Sequence, residues 1–280
     1  MTPEQAYTAC EQITSSQARN FSYGIRLLQP SKRAALSSVY AMARRVDDIG
    51  DGPGSVPAKL ARLDGVRRDL AGLPGRGDDP VLVALHDAAN RFPLPMGAFQ
   101  ELVEGCEMDV RGQAYGTFDE LVGYCTHVAG SIGRLSLGVF GASRPSEATA
   151  RADSLGVALQ LTNVLRDIVE DRDRMGRVYL PKQDLERFGL GTDLGGPPEA
   201  LGALVLLVAR RARGYYDEGL GLLPLLDGRS RACTAAMAGI YRRLLARIER
   251  CPASVLAGRV SLPPWEKAWV AARSLAGMAP

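Results

Sequence analysis

Histidine is the scarcest titratable residue of this chain, which contains only His86 and His127. No Gly-x-Ser-x-Gly elbow and no catalytic cysteine context accompanies them, so nucleophilic catalysis has little support. The five cysteines are scattered, odd in number and never spaced as Cys-x-x-Cys, which argues against a disulfide framework and a zinc site and suits a reducing cytoplasm. Neither a Gly-x-Gly-x-x-Gly nor a Walker-type loop occurs, so no tightly bound nucleotide is expected.

Long apolar runs and dense basic runs are also absent. The longest apolar run, residues 203–209, is far shorter than the roughly 20 residues that span a bilayer. Any membrane contact is therefore expected to be peripheral, at the inner face of the membrane. The net charge of +3 comes without a dense Lys/Arg run, so nucleic acid is not expected as a partner. The first residues lack the layout of a signal peptide, which predicts a cytoplasmic protein.

The remaining composition is typical of a globular protein. Of the 280 residues, 46% are hydrophobic and 23% are charged, and neither an internal repeat nor a composition shift divides the chain. No convincing alternation of apolar and polar residues indicates a strand. We therefore predict an all-α fold in a single domain over residues 1–280, with helices at residues 3–16, 31–51, 55–73, 81–92, 95–112, 117–140, 146–173, 198–223, 230–250 and 264–277.

An acidic stretch lies at the end of predicted helix 31–51. A rotation of about 100° per residue places four polar residues on one helix face, namely Arg44, Asp47, Asp48 and Asp51. The helix macrodipole disfavours negative charge at a C-terminus by about 0.3–1 kcal/mol per group. Three aspartates at this end therefore predict a compensating cation.

A second polar line lies on predicted helix 146–173, where Gln160, Asn163, Asp167 and Asp171 follow one another at i, i+3, i+7 and i+11. A single Asp-x-x-x-Asp pattern is more often a solvated helix face than a metal site. Two patterns, both predicted at helix C-terminal ends and both without lysine at i+4, favour a shared divalent cation. Mg²⁺ is usually held by one or two carboxylates together with substrate phosphate oxygens. Two facing rows would therefore suit Mg²⁺, or Mn²⁺ in its place, and a diphosphate.

Basic side chains near these rows are candidates for binding phosphate oxygens. We predict this role for Arg44 and Arg177, and an exposed surface position for Arg172 and Arg174.

Aromatic and small residues raise the question of a cavity. Phe21, Tyr124 and Tyr241 could line one, although an aromatic on a helix is more often plain core. Gly130 and Gly133 lie inside predicted helix 117–140, where each glycine costs about 1 kcal/mol against alanine. We interpret these glycines as a place where something bulky, such as a long apolar ligand, approaches the backbone.

Five segments together resemble the squalene and phytoene synthase family of head-to-head prenyl synthases. They occur in family order and span nearly the whole chain, which makes them far more specific than either acidic row alone. The segments are Arg19-Asn20-Phe21-Ser22-Tyr23, Tyr40-x3-Arg44-x2-Asp47-Asp48-x2-Asp51, Tyr124-x3-Val128-Ala129-Gly130-x2-Gly133, Gln160-x2-Asn163-x2-Arg166-Asp167-x3-Asp171 and Gly176-Arg177-Val178-Tyr179-Leu180-Pro181.

The resemblance implies a type I isoprenoid synthase fold, in which helices wall a central cavity and the two aspartate rows face each other at its mouth. Its implied chemistry is Mg²⁺-assisted loss of one diphosphate from two bound prenyl diphosphates. The implied metal ligands are Asp47, Asp51, Asn163, Asp167 and Asp171. The implied catalytic residues are Asp47, Asp48, Asp51, Asp167, Asp171 and Tyr124. The implied substrate-binding residues are Arg44, Phe21, Gln160, Asn163, Arg177, Tyr179 and Tyr241.

Within the family, the segment 17–28 and the motif 47–51 look most like bacterial presqualene diphosphate synthases of the hopanoid pathway. We therefore expect two farnesyl diphosphates as substrates, no NADPH, and a separate downstream enzyme that forms squalene. The alternatives are a phytoene synthase acting on geranylgeranyl diphosphate and a complete NADPH-dependent squalene synthase. A non-catalytic assembly protein is an alternative of another class, but it should have lost acids from the rows. Phe21, Val128, Leu159 and Ile240 are candidates for the cavity floor, and the oligomeric state stays open.

Overall fold

The computed structural model describes residues 1–18, 20–73 and 78–278, which leaves Arg19 of the first resemblance segment outside the described residues. Within these ranges the chain forms helices and no strand, so the all-α prediction is confirmed. The α-helices are α1 (Pro3–Gln17), α2 (Phe21–Ile25), α3 (Pro30–Asp51), α4 (Val56–Ala71), α5 (Pro80–Arg91), α6 (Gly97–Val110), α7 (Phe118–Cys125), α8 (Ser131–Phe140), α9 (Pro145–Arg166), α10 (Ile168–Met175), α11 (Lys182–Arg187), α12 (Pro198–Gly219), α13 (Gly228–Arg250) and α14 (Pro264–Leu275). A π-helical turn (Thr126–Gly130) joins α7 to α8, and 3₁₀ turns (Leu220–Leu225 and Pro252–Leu256) follow α12 and α13.

Many helices begin at the signals that the sequence carries. Thr2 and Gln5 form a capping box at the start of α1, and α3 has Pro30 at its first position, where proline lacks only an N–H that would be unpaired in any case. Asp227 caps α13 by accepting the backbone N–H groups of Arg229 and Ser230, each at 3.0 Å. These local rules fix where the long helices start.

Two predicted helices are interrupted, and both interruptions lie beside the cavity described below. Predicted helix 117–140 contains the π-helical turn Thr126–Gly130. Predicted helix 146–173 is wrong as a single helix, because it breaks at Asp167, which ends α9 and begins α10. The short helices α2 and α11 were not predicted, and α10 continues to Met175, two residues beyond predicted helix 146–173.

Helix α9 is the centre of the packing, with α12 on one side and α8 with the π-helical turn on another. A Cβ added to Gly156 would lie 2.6 Å from the Ala129 carbonyl oxygen, and one added to Gly133 would lie 2.8 Å from the Ala152 carbonyl oxygen. The bulky group that approaches the backbone at Gly133 is therefore helix α9, although Ala129 and Gly133 also line the cavity.

Two hydrophobic clusters form the core. One contains much of α1, α3, α5 and α6, and the other contains much of α9, α12 and α13. Phe21 and Val128 pack against both clusters, so the cavity that these two residues line lies between them. No helix in the described ranges is long and apolar enough to cross a membrane.

Candidate active site

A cavity of about 420 Å³ lies between the two hydrophobic clusters. Its apolar wall includes Leu36, Val39, Leu102, Ile132, Leu137, Phe140, Leu159, Leu222 and Met237. Its polar side contains Asp47, Asp51, Asp109, Gln160, Asn163, Asp167, Asp171, Arg177 and Tyr179. Leu36 and Asp51 are fifteen residues apart on α3, so the wall extends about 22 Å along this helix. The apolar part can take a long hydrocarbon chain, and the polar part can take its charged end.

The first acidic row is divided between two surfaces. Asp47 and Asp51 line the cavity, whereas Arg44 and Asp48 form an ion pair of 2.6 Å and line a separate groove of about 450 Å³ on the outer side of α3. At 100° per residue the two pairs point about 60° apart, which is enough to separate them. Of these four residues, only Asp47 and Asp51 line the cavity, and a functional role for Arg44 and Asp48 stays a prediction.

The second row reaches the cavity from two helices. Gln160 and Asn163 lie on α9, Asp167 lies at the break, and Asp171 lies in the first turn of α10. The macrodipole argument therefore fails for Asp171, because a helix N-terminus favours negative charge. At Asp167, which ends α9 and begins α10, the two helix ends have opposite effects. The expectation that both rows lie at helix C-terminal ends is corrected accordingly.

Asn163 and Asp167 differ in how many of their side-chain oxygen atoms have a hydrogen-bond or ion-pair partner. Asn163 donates its amide N–H to the Gln160 side-chain oxygen at 3.2 Å, while its own buried oxygen, Oδ1, has no hydrogen-bond partner. The Asp167 carboxylate pairs with the buried Arg166 at 2.8 Å and with Arg259 at 3.1 Å. An unpaired buried amide oxygen beside a carboxylate is an acceptor available to a cation or to a substrate donor.

The carboxylates of the two rows influence one another across the cavity. Burial, followed by the charge of Asp51, raises the pKa of Asp47 to about 7, although its side chain is still exposed at the cavity. Burial, followed by the charge of Asp167, raises the pKa of Asp171 to about 7, and Asp51 of the other row also contributes. Both shifts show that negative charge is costly at this mouth in the absence of a bound cation.

Arg177 contacts both rows, since its backbone N–H donates to the Asp171 carbonyl oxygen at 2.9 Å. Its guanidinium donates to the Asp51 carboxylate at 2.9 Å and to the Gly50 carbonyl oxygen at 3.4 Å. Lys59 donates to the same carbonyl oxygen at 2.9 Å. These cations neutralise the C-terminal end of α3, where the macrodipole and the aspartates both place negative charge. By contrast, Arg172 and Arg174 pair locally with Asp173 and Glu170.

Asp109 is a site residue that sequence reasoning missed. Its carboxylate accepts the hydroxyl groups of Tyr124 and Tyr179, each at 2.9 Å, and the three rings of Tyr115, Tyr124 and Tyr179 pack against one another. Burial raises the pKa of Asp109, while Arg177 and the two hydroxyls lower it. The available signal was an acid three residues after Cys106, on the inward face of predicted helix 95–112.

The predicted aromatic residues occupy two different positions. Phe21 and Tyr124 line the cavity. Tyr241 is buried behind Phe21, with which it stacks at a centroid distance of 5.6 Å, and does not line the cavity. Among the floor candidates, Val128 and Leu159 are lining residues, whereas Ile240 is plain core. Tyr241 therefore supports the wall instead of touching its contents.

The donor set fits Mg²⁺ when a substrate is also bound. Within the described ranges, no group of three or more Asp, Glu, His or Cys side chains is close enough to hold a metal ion. A hard cation that takes one or two carboxylates and completes its shell with water and phosphate oxygens does not need such a group. Asp47, Asp51, Asp171 and the unpaired oxygen of Asn163 are oxygen donors of the required type.

Comparison with solved structures defines the class of protein. A dehydrosqualene synthase solved with a ligand matches with a TM-score of 0.89 at 29% identity, covering 98% of this chain and 97% of its own. The squalene synthase HpnC of Alicyclobacillus acidocaldarius matches with a TM-score of 0.80 at 31% identity, covering 89% and 94%. The fold is the terpenoid synthase fold, as predicted.

The chain belongs to the squalene/phytoene synthase family, whose model matches residues 14–266. The phytoene synthases of Mycobacterium tuberculosis and Mycobacterium bovis are each 50% identical over 280 residues, which cover 98% of this chain and 91% of theirs. The phytoene synthase of Arthrospira platensis is 37% identical over 285 residues, covering 95% and 91%. The protein is thus a prenyltransferase of isoprenoid biosynthesis that condenses prenyl diphosphates head to head.

Proposed function

We propose that the protein condenses two farnesyl diphosphates to presqualene diphosphate in a Mg²⁺-dependent reaction, with Mn²⁺ as a substitute. The observation that carries this proposal is the meeting of two carboxylate rows at the polar side of one apolar cavity. The farnesyl chain is favoured by the likeness to a dehydrosqualene synthase and to the squalene synthase HpnC, and by the first motif of the sequence. A separate enzyme then converts the product to squalene, without NADPH acting at this site.

Each row has a distinct task in this proposal. Mg²⁺, when bound, supplies the positive charge that neutralises the departing diphosphate. Asp47 and Asp51 would hold it from α3, and Asn163, Asp167 and Asp171 would hold it from the α9–α10 side. Arg177 lies beside Asp51, and it would bind diphosphate oxygens. The apolar wall excludes water from the allylic cation that remains when the carbon–oxygen bond breaks.

Formation of the cyclopropane ring also releases one proton, and the tyrosine cluster offers a place for it. The double bond of the second farnesyl group attacks the cation, the ring closes, and a carbon-bound proton leaves as the ring forms. We assign its acceptance to the Tyr124 hydroxyl oxygen, which passes its own proton to the Asp109 carboxylate. The raised pKa of Asp109 makes that carboxylate a better proton acceptor than an ordinary aspartate.

Product identification tests the proposal. Purified protein with farnesyl diphosphate and Mg²⁺ should yield presqualene diphosphate and inorganic diphosphate, detected by mass spectrometry, with or without NADPH. Squalene formed only when NADPH is added would contradict the product assignment. No turnover of farnesyl diphosphate would contradict the substrate assignment.

Phytoene synthesis from two geranylgeranyl diphosphates is the second candidate, because relatives 50% identical over 98% of this chain carry the name phytoene synthase. The same assay of purified protein and Mg²⁺, with geranylgeranyl diphosphate in place of farnesyl diphosphate, distinguishes the two candidate functions. A higher kcat/KM for geranylgeranyl diphosphate, with phytoene as product, would establish the second candidate over the first.

A further inference from the structure

Helix α14 exposes a continuous apolar face to solvent. The chain has two tryptophans, and both lie on this helix, with Trp265 70% exposed and Trp269 43% exposed. We use the name tryptophan face for the exposed residues that share this side of the helix, namely Trp265, Ala268, Trp269, Ala272, Leu275 and Ala276. It contains no charged side chain. A contiguous exposed apolar patch of this kind is typical of an interaction surface.

The helix is anchored through its opposite side, so the tryptophan face is not a core surface left uncovered by a loose helix. Glu266, Val270 and Ser274 are buried. Glu266 accepts hydrogen bonds from Arg243 at 3.1 Å and Arg247 at 2.9 Å on α13. These contacts fix the orientation of α14, so that Trp265 and Trp269 face the solvent.

Two arginines hold the Trp269 ring at the surface. The guanidinium carbon of Arg243 lies 4.5 Å from the ring centroid, and that of Arg273 lies 4.6 Å from it. Such cation–π contacts are worth about 0.5–1 kcal/mol each at exposed sites. The apolar ring is therefore presented together with positive charge.

The part of the sequence that contains this face is basic. Residues 228–280 contain nine Lys and Arg but two Asp and Glu, a net charge of +7, so that residues 1–227 carry −4 of the total of +3. One of the two acids, Glu266, is buried and paired with arginines. The tryptophan face is thus an apolar surface in a basic part of the chain, and the guanidinium groups of Arg243 and Arg273 at Trp269 form its basic surrounding.

We propose that the tryptophan face docks the protein on the surface of an anionic lipid bilayer, with both indole rings at headgroup depth and the arginines against lipid phosphates. Tryptophan on the apolar side and Lys/Arg around it are the composition of interfacial membrane helices. A second copy of the chain is a poorer occupant, because a two-fold interface would bring each basic surrounding opposite itself. Anionic lipid complements this charge.

The position of α14 connects the proposed docking surface to the catalytic cavity. The helix packs against α2 and α13. Phe21 and Ile25 of α2 line the cavity, and so do Thr234 and Met237 of α13. The bilayer, the natural solvent of long apolar chains, would therefore lie next to one wall of the cavity. The docking itself requires no particular chain length or product.

Intrinsic fluorescence tests the proposal directly, since both tryptophans of the chain lie in the face. Adding vesicles of phosphatidylglycerol and phosphatidylcholine should shift the emission to shorter wavelength, and brominated lipids should quench it. Vesicles of phosphatidylcholine alone, or high salt, should reduce both effects. Trp265→Ala should weaken vesicle co-sedimentation by about tenfold or more, because burying one large apolar side chain is worth at least the ~1.4 kcal/mol of a tenfold change.

Val56→Ala is the matched control, because Val56 is 46% exposed and lies on α4, away from the tryptophan face. It should bind vesicles like the wild type. Both variants should turn over prenyl diphosphate in vesicle-free solution like the wild type, which separates docking from catalysis. Equal vesicle binding by Trp265→Ala and wild type would overturn the proposal, as would absence of any emission shift with anionic vesicles. A lipid-free emission shift that follows protein concentration, with a dimer mass in sedimentation, would assign the face to a second copy instead.

Discussion

At the scale of single residues, the negative charge of Asp47 at the mouth of the cavity lowers the stability of the metal-free protein. Burial and the charge of Asp51 raise the pKa of Asp47 to about 7, against about 3.9 in an unfolded chain. A carboxyl with a raised folded-state pKa contributes stability below pH ~4 and loses it as the pH rises through 7. Asp47→Asn should therefore stabilise the metal-free protein more at pH 8 than at pH 5. We expect a gain of about 2–4 °C at pH 8, the effect of roughly 1 kcal/mol in a domain of this size. This value is reduced because the Asp47 side chain is exposed and its charge is screened.

Thermal unfolding in EDTA at the two pH values measures this difference, and Asp48→Asn provides the control. Asp48 is ion-paired with Arg44 on the outer groove, so its replacement should give no such pH-dependent gain. Asp47→Asn should also abolish turnover. The same carboxylate would then be required for activity and unfavourable for stability. A loss of stability at pH 8 would contradict the electrostatic account.

The proposed proton acceptor is a second test at this scale. Asp109→Asn keeps the shape of the side chain but removes its charge and most of its basicity. We expect kcat to fall by about 10²-fold or more with little change in KM, since a positioned base contributes about 10²–10⁴-fold. Tyr179→Phe, which removes the other hydroxyl donor to Asp109, should have a smaller effect and should shift the pH dependence of kcat. Wild-type kcat in Asp109→Asn would refute the proton transfer.

At the scale of elements, the predictable features are those set by neighbours in sequence. The cap at Thr2, the proline at the first position of α3 and the ends of α3 and α13 follow from local chemistry, and so does the placement of Asp47 near the end of α3. The break at Asp167 does not, because the ion pair with Arg259 joins it to a residue 92 positions later. The role of Asp109 is equally hidden, since its partner Tyr179 comes 70 positions later.

The cap of α13 gives a test of one element. Asp227 accepts the N–H groups of Arg229 and Ser230 and pairs with Lys32 of α3 at 2.7 Å. Although burial alone would raise its pKa, Lys32 and Ser230 lower the pKa of Asp227 well below its usual value. Asp227→Ala should therefore reduce the free energy of unfolding by about 1–2 kcal/mol at pH 7.

A group with a lowered pKa contributes stability above its unfolded pKa and loses it as the pH falls through its folded pKa. The stability difference between Asp227→Ala and wild type should therefore begin to shrink below pH ~4 and be smaller, but still present, at pH ~3. Urea unfolding at pH 7 and at pH 3 measures the two differences. Asp217→Ala, an exposed acid within α12, is the control and should change little at either pH. An undiminished difference at pH 3 would rule out the charge of Asp227 as its cause.

At the scale of the whole molecule, the site joins the two hydrophobic clusters. Asp47 belongs to α3, which packs in one cluster, and Asp171 follows α9, which packs in the other. Because no group of three acids in the described ranges can hold a metal ion, we expect Mg²⁺ alone to bind weakly and to bind tightly only together with diphosphate. Mg²⁺ with inorganic diphosphate should then raise the melting temperature cooperatively, since a ligand at 100 times its Kd adds about 2.7 kcal/mol of stability.

Differential scanning calorimetry with Mg²⁺, with diphosphate and with both measures this cooperativity. Asp47→Ala and Asp171→Ala should each lose the joint shift, because each removes the contribution of one cluster, whereas Asp48→Ala on the outer groove should keep it. EDTA should remove the shift in the wild type. A full shift with Mg²⁺ alone would mean that the carboxylates enclose the metal unaided. Retention of the joint shift in both Asp47→Ala and Asp171→Ala would mean that diphosphate binds elsewhere, and the two rows would then have no common ligand.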